Sequence, residues 1–451
     1  MNDSNMYIGL DIGTTSIKVI VAEKANNQMN VIGVGNERSA GVSRGVIVDI
    51  DKASNAIGRA IRQAEEKASV KISNVIVGIP ADQIKIDKCS GMIELPDQSE
   101  EITNDDVVDV AESAIDTNLP PEREVIDLTP DEFMVDGFDG IQDPRGMVGN
   151  RLKMNGRMIS GPKTIIHNIK KAVTNAGLSI EALVVDPQAE GKYILSESEQ
   201  EFGTILIDLG GGQSTVAVIH DFELKYANVD LEGGQYITKD ISSVLNTSAS
   251  NAEKLKRGYG YADVDQASED NEFPVDVVGQ GQPVNVSEKL LAEIIEARID
   301  QIFSRLKTDL DGIDALSLPG GIVLTGGVAS MPGIAELAAN TFGVNVRVYI
   351  PDQIGLRHPS LSLALSLVNY GGNLSQIERL VRSAFDHGEF THSDNGNARE
   401  VEPESEPKVS GSIPFKQKRQ NKTAKKKREK KPKSDKNLGE RFSGIVHHFF
   451  E

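Results

Sequence analysis

Two aspartates in this chain of 451 residues, Asp11 and Asp208, each end a short apolar run and open a glycine-rich turn. The first copy reads Ile8-Gly9-Leu10-Asp11-Ile12-Gly13-Thr14-Thr15-Ser16-Ile17-Lys18, the second Ile205-Leu206-Ile207-Asp208-Leu209-Gly210-Gly211-Gly212-Gln213-Ser214-Thr215. A β-branched run follows each turn, so both copies predict strand, tight turn, strand. Glycine lets the backbone approach a ligand closely and adopt positive φ, so consecutive amide N–H groups can point at phosphate oxygens while the aspartate faces the same ligand. One Asp-x-Gly alone is an ordinary hairpin turn. Two matched copies facing each other would clasp a nucleotide and its Mg²⁺ from both sides. A third segment, Gly320-Gly321-Ile322-Val323-Leu324-Thr325-Gly326-Gly327, runs a buried-type strand into a Thr-Gly-Gly turn that suits a flat adenine ring lying on backbone.

These segments resemble the phosphate-1, phosphate-2 and adenosine motifs of the actin, sugar-kinase and heat-shock ATPase superfamily. Gly233-Gly234-Gln235-Tyr236-Ile237-Thr238-Lys239-Asp240-Ile241, Ala252-Glu253-Lys254-Leu255-Lys256-Arg257-Gly258-Tyr259-Gly260, and Arg357-His358-Pro359 before a small-residue helix are similar to the bacterial FtsA cell-division family. That similarity runs from Tyr7 to Tyr370 and points to a Gram-positive source.

Phosphoryl transfer depends on positioning and charge neutralisation. The resemblance implies that Gly13, Thr14, Thr15, Ser16 and Lys18 serve the β-phosphate from one lobe, and that Gly210, Gly211, Gly212 and Gln213 hold the γ-phosphate from the other. Asp11 and Asp208 are the candidate Mg²⁺ carboxylates, acting through the ion's waters because Mg²⁺ sheds water reluctantly; Asp208 is also a candidate catalytic group. Gly234, Glu253, Lys256, Gly326 and Gly327 match positions that contact adenosine. Glu253 and Lys256 share one helical face, so they either reach one ribose or pair with each other at the surface. Asp186, before Pro187, stands where relatives carry a Glu or Gln that polarises the attacking water. Being one methylene shorter than Glu, it would hold that water poorly and give slow turnover; it equally suits a helix N-cap with proline at N1.

The elements that must position these groups follow from periodicity. Tyr7–Leu10, Ile17–Ala22, Val31–Val34, Val75–Ile79 and Ala182–Val185 predict strands, and Lys52–Ser69, with Ala56, Ile57, Ala60, Ile61 and Ala64 on one face, predicts an amphipathic helix. Such an α/β layer leaves open strand ends where ligands bind. The expected fold is α/β and actin-like: two lobes, each with a duplicated mixed-sheet core, plus inserted subdomains. The first lobe takes residues 1–81 and 161–202, including a helix Lys163–Gly177 closed by a glycine cap. Residues 82–160 show short strand signals, proline pairs, acidic turns and one helix, Asn104–Ala114, and predict an inserted subdomain. The resemblance makes this insert subdomain 1C, implicated in self-association and in contacts with other division proteins. The second lobe core takes 203–233 and 320–385, and 234–319 is its helical subdomain, with an acidic loop from Asp263 to Pro274. Its helix Glu288–Leu310 carries Leu290, Leu291, Ile294, Ile295, Ile299, Ile302, Phe303, Leu306 and Leu310 at helical spacing, a stripe that reads as core rather than as a docking groove.

Length and duplicated elements predict more than one core. The single cysteine, Cys89, cannot pair within the chain, fits a reducing compartment, and has no motif of a nucleophile around it. No charged-then-apolar signal precedes Tyr7, and no apolar run approaches the ~20 residues that span a bilayer, which predicts a protein kept in the cytoplasm. The net charge of −19 conceals a segregation: Lys416 to Lys436 holds twelve basic and two acidic residues, a local +10 that leaves about −29 elsewhere.

Residues 386–436 are poor in large apolar side chains and predict a disordered linker, basic at its end. In 437–451, Leu438, Phe442, Ile445, Val446, Phe449 and Phe450 form one stripe on a helix, with Asn437 and Glu440 in a capping pattern. Such a short helix needs a surface to fold on, and the basic run before it suits an anionic bilayer interface. Docking back on the acidic body is the alternative. The lysines lack interleaved aromatics, so nucleic acid is not expected as a partner. The FtsA family ends in a similar membrane-targeting helix. The resemblance therefore implies an ATP-binding adaptor, at most a slow ATPase, that polymerises with itself. It would recruit FtsZ, by that protein's C-terminal peptide, through the second-lobe subdomain, and act with other division proteins on anionic lipid at the cytoplasmic face of the septal membrane. A sugar kinase, or a rod-shape or pilus-assembly relative, would share the nucleotide site.

Overall fold

The first glycine hairpin becomes two paired strands, β1 (Met6–Ile12) and β2 (Ser16–Ala25), antiparallel with Asp11 opposite Lys18. β3 (Gln28–Arg38) continues the meander, and β4 (Val42–Ser43) with β5 (Val46–Ile47) makes a small ribbon beyond it. α1 (Ile50–Ala68) starts where the Asp49 side chain accepts the Lys52 N–H and ends at Ser69 in the left-handed region. The expected face is the buried one, and it is built from small residues because β3 lies close: a Cβ at Gly35 would stand 2.0 Å from the Ala60 carbonyl oxygen. β6 (Asn74–Ile79) runs parallel to β1. The computed structural model describes residues 6–26, 28–95, 101–115 and 119–385. The linker and the terminal stripe of Leu438, Phe442, Ile445, Val446, Phe449 and Phe450 lie outside the described residues.

The insert contains β7 (Lys85–Glu94), α2 (Asn104–Ile115), β8 (Arg123–Val135), β9 (Phe138–Ile141) and β10 (Arg151–Pro162), in the antiparallel order β7-β10-β8-β9. Short strands were expected here, yet β8 spans 13 residues and β10 spans 12. Pro130 does not end β8 because it sits where the register against β10 shifts, between Asn155 and Gly156, and a bulge is where a strand tolerates proline.

α3 (Lys163–Asn175), with Gly177 following at φ 84°, and β11 (Ser179–Val185) return to the first sheet, whose order is β11-β6-β1-β2-β3. α4 (Asp186–Ile194) and α5 (Glu197–Phe202) then cross to β12 (Thr204–Leu209), β13 (Ser214–His220) and β14 (Glu223–Asp230). Next come α6 (Gly234–Val244), α7 (Ala249–Tyr259), β15 (Glu272–Val275), β16 (Val284–Ser287) and α8 (Glu288–Gly312). β17 (Ile322–Thr325), α9 (Ile334–Phe342) and β18 (Val346–Val348) complete a second sheet, ordered β14-β13-β12-β17-β18. The two sheets share one plan: an antiparallel meander whose first strand is flanked by two parallel ones. The duplication seen in the turns is thus a duplication of whole sheets. The acidic loop, Asp263 to Pro274, is corrected at its end, which runs into β15; that strand pairs with β16, with Phe273 and Val275 buried at alternate positions. The α8 stripe is buried core, except that Leu290 is only half-buried.

α10 (Ser362–Asn373) recrosses to the first sheet, where Ala364, Leu365 and Val368 join Ile20 and Ala22. The approach is close enough that a Cβ at Gly9 would stand 2.5 Å from the Ala364 carbonyl oxygen. α11 (Gln376–Ser383) packs Val381 into the insert's core with Val107, Val110 and Phe133 of α2 and β8. Among the described residues no helix is long and apolar enough to cross a membrane.

Candidate functional site

Between the lobes lies a cleft of about 1290 Å³, lined by every nucleotide and metal residue that the sequence singles out: Asp11, Gly13 to Ser16, Lys18, Asp186, Asp208, Gly210 to Gln213, Gly234, Glu253, Lys256, Gly326 and Gly327. The two glycine turns have the same internal geometry. A Cβ at Gly13 would stand 2.8 Å from the Ser16 carbonyl oxygen, and one at Gly210 equally 2.8 Å from that of Gln213. The turns also touch each other: a Cβ at Gly211 would meet the Thr15 side chain at 2.5 Å. Thr14 Oγ1 accepts the Gly45 N–H at 2.8 Å, and Gly45, at φ 75°, leaves room for the Gln213 side-chain amide. Arg44 donates across the lobes to the Tyr236 hydroxyl. The loop around Arg44 and Gly45 was not anticipated as cleft wall; its spaced glycines, Gly41 and Gly45, were the available signal.

At the cleft floor, Lys18 Nζ donates to Asp11 Oδ2 at 2.7 Å, both groups being buried. Asp208 projects nearby from the end of β12, in space that exists only because residue 326 is glycine, at φ 89°: a Cβ there would stand 2.0 Å from Asp208 Oδ1. Burial and the charge of Asp11 push the Asp208 carboxyl up to about 6. Asp186 is not an N-cap. Val185 holds that position, and Asp186 opens α4 with Pro187 in the first turn and no capping bond. Its carboxyl turns instead into the cleft over Gly78, where Oδ1 is buried without a hydrogen-bond partner. Burial first, then Asp11 and Asp208, hold it well above the usual carboxylate range. One turn later stands Glu190, 2% exposed and pushed up likewise by burial and Asp208. Sequence reasoning missed Glu190, although its spacing of four from Asp186 puts both on one helical face.

On the far wall, Lys256 Nζ pairs with Glu253 Oε2 at 2.7 Å and donates to the Gly234 carbonyl and Thr238 Oγ1, each at 2.8 Å. The pair therefore forms, but Lys256 is only 9% exposed, so it is no surface pair. Burial alone would raise Glu253, yet Lys256, Thr238 and Arg257 hold it below its ordinary value. Lys256 is lowered because burial outweighs Glu253. Gly327 faces open space, with nothing nearer its Cβ direction than Ser360 at 3.8 Å. His358, quoted above only as a family mark, also lines the cleft, and its Nδ1 accepts the Ser360 N–H at 3.2 Å.

The arrangement fits a metal-bound polyphosphate: small turns on both sides, carboxylates at the strand ends, and two buried oxygens, Asp186 Oδ1 and Gln213 Oε1, that lack partners. Among the described residues no three of His, Cys, Asp or Glu converge tightly enough to hold an ion between them.

Two solved structures share this architecture. The PilM-PilN type IV pilus biogenesis complex matches at 15% identity and a TM-score of 0.56, over 82% of this chain and 99% of that one. The MamK double helical filament matches at 13% identity and a TM-score of 0.50, over 82% and 99%. The fold is the actin-like one, as expected. Residues 205–366 match the family model for cell division protein FtsA, and 81–160 match that for the SHS2 domain inserted in FtsA. FtsA of Enterococcus hirae is 55% identical over 384 residues, covering 85% of this chain and 87% of that one. FtsA of Bacillus subtilis is 40% identical over 378 residues, covering 84% and 86%. The chain belongs to the FtsA family of bacterial cell-division proteins, and its similarity to Gram-positive members supports a Gram-positive source.

Proposed function

We propose that this chain binds Mg·ATP between its lobes and works as a division adaptor rather than as a fast enzyme. Bound nucleotide fixes the lobes, drawn at the boundaries given above, in a shape that polymerises. The subdomain 234–319 recruits FtsZ, and residues 437–451 hold the polymer to anionic lipid at the inner face of the septal membrane. The observation that supports this reading most directly is the contact between the twin turns, Gly211 against Thr15 and Gly212 against Thr14, because it brings two phosphate-type turns from two sheets together in one cleft.

Within that cleft the chain's own groups have separable tasks. The turn amides and the Thr14, Thr15 and Ser16 hydroxyls bind and orient phosphate oxygens. Asp11 and Asp208 hold the waters of Mg²⁺, and Lys18 keeps Asp11 oriented. Mg²⁺, when bound, neutralises phosphate charge. Lys256 fixes Glu253 and the start of α6 beside the ribose position. A sugar kinase is the weaker reading, because the similarity to division proteins extends over most of the chain.

Titration calorimetry of the full chain tests the proposal. Uptake of Mg·ATP is expected, weakened about tenfold or more by Asp208→Ala, that is by at least ~1.4 kcal/mol. No uptake by the wild type, or unchanged uptake by the variant, overturns it.

A further inference from the structure

Helix α4 turns two carboxyls into the cleft from successive turns. Asp186 and Glu190 share one face of the helix; on the opposite face Gln188 Nε2 donates to Asp127 Oδ2 at 2.5 Å, and on the flank between them Ala189 packs among Ile76, Val184, Leu367 and Tyr370. The rotation of α4, and with it the aim of both acids, is therefore set by its packing. Asp186 Oδ1 is buried with no hydrogen-bond partner, and Glu190, 2% exposed, lines the same cleft. The neighbouring cation, Lys18, is already committed to Asp11 at 2.7 Å. A buried polar oxygen without a partner is costly, and in a cleft that opens to solvent a water can satisfy it. Asp186 is one methylene shorter than the Glu that the family resemblance puts in its place, and Glu190 brings a second, longer carboxyl to the same cleft one turn later.

We propose that Glu190 is a second catalytic carboxylate: together with Asp186 it holds the water that attacks the terminal phosphate of nucleotide bound in this cleft. The inference rests on the nucleotide reading above. In the step, the water oxygen forms the new bond to the terminal phosphorus and the bond from that phosphorus to the bridging oxygen breaks. The electron pair leaves with the diphosphate, and the water's proton passes to the carboxylate of Glu190.

Glu190→Gln keeps the shape and removes the base, and Glu190→Asp returns a carboxylate one methylene back. In full-length protein, Mg·ATP uptake is measured by calorimetry, hydrolysis by single turnover, and melting in the nucleotide-free state. Glu190→Gln is expected to bind at least as tightly as the wild type, because it puts no new charge before the polyphosphate, and to melt no lower. It is expected to hydrolyse about 100-fold more slowly, with part of the rate recovered in Glu190→Asp. Hydrolysis by Glu190→Gln at the wild-type rate overturns the proposal. Lost uptake or a lower melting temperature in that variant also overturns it, since either marks Glu190 as structural. A wild type that binds ATP but shows no single-turnover hydrolysis overturns it while leaving nucleotide binding intact. A wild type with no uptake sinks the nucleotide reading itself.

Discussion

Gly212 and Thr14 meet at the junction of the two sheets: a Cβ at the glycine would stand 2.4 Å from the threonine Oγ1 and 2.7 Å from its Cβ. The two turns, far apart in the chain, are one surface in the fold, and groups on either side share a ligand only while they touch.

Gly212→Ala tests that contact. The added methyl must displace Thr14, and overpacking of this kind costs about 1–3 kcal/mol. Lower stability in denaturant and weaker Mg·ATP uptake are expected together, and Thr14→Gly in the same chain removes the obstructing atoms and recovers part of the stability but not the uptake. Wild-type stability and uptake in Gly212→Ala would show that the turns do not touch in solution.

The turns, the adenosine-type strand and the α1 face were legible because each is a local pattern, of glycine spacing, period two or period 3.6. Glu190 was not, because nothing within Asp186-Pro187-Gln188-Ala189-Glu190 says which helix face a later sheet will leave open. The same locality misled at Asp186. Asp before Pro is a sound N-cap signal, but β11 runs straight into α4 and carries the cap position back to Val185. Pro130 and the charges around Phe273 hid real strands, since a bulge and an alternating apolar pair were needed to accommodate them. Long-range packing, not propensity, decided these places.

A buried ion pair fastens α11 to the insert. Asp127 is fully buried, and its Oδ1 lies 2.6 Å from Arg382, which also donates to the Tyr370 hydroxyl at 2.6 Å. Removing one partner strands the other charge, so Arg382→Met should destabilise by about 3–5 kcal/mol in urea unfolding. Asp127→Asn combined with Arg382→Met should cost clearly less than the two single changes added together. Strict additivity would mean that the pair is not formed.

His358 predicts a pH dependence. Burial, with Arg257 and Lys18 nearby, holds its pKa below the ordinary 6.5, and only a ring unprotonated at Nδ1 can accept the Ser360 N–H. As pH falls, the unfolded chain takes up this proton first, so stability rises with pH. The contribution is complete above about 6.5 and is lost as pH drops from there toward the folded value. His358→Asn keeps an acceptor and removes the titration. Melting temperatures of wild type and variant should therefore diverge between about pH 7.5 and 5, the wild type falling faster, whereas parallel curves would refute the assignment.

The membrane proposal rests on a pattern beyond the described residues, and its physics is separable into two terms. The stripe ending in Phe449 and Phe450 supplies apolar burial, and the twelve basic residues between Lys416 and Lys436 supply attraction to anionic lipid at about 1 kcal/mol for each one near the surface. Deleting residues 437–451 should therefore abolish pelleting with anionic vesicles at physiological salt, because the attraction of the basic run alone is screened within about 8 Å. Leaving the stripe intact and changing six of the lysines to glutamine should instead weaken pelleting in a way that disappears on neutral vesicles. Equal pelleting by the full and shortened chains would end the membrane reading. Equal pelleting of the glutamine variant on anionic and neutral vesicles, matching the wild type on both, would leave the apolar stripe as the whole of the attachment.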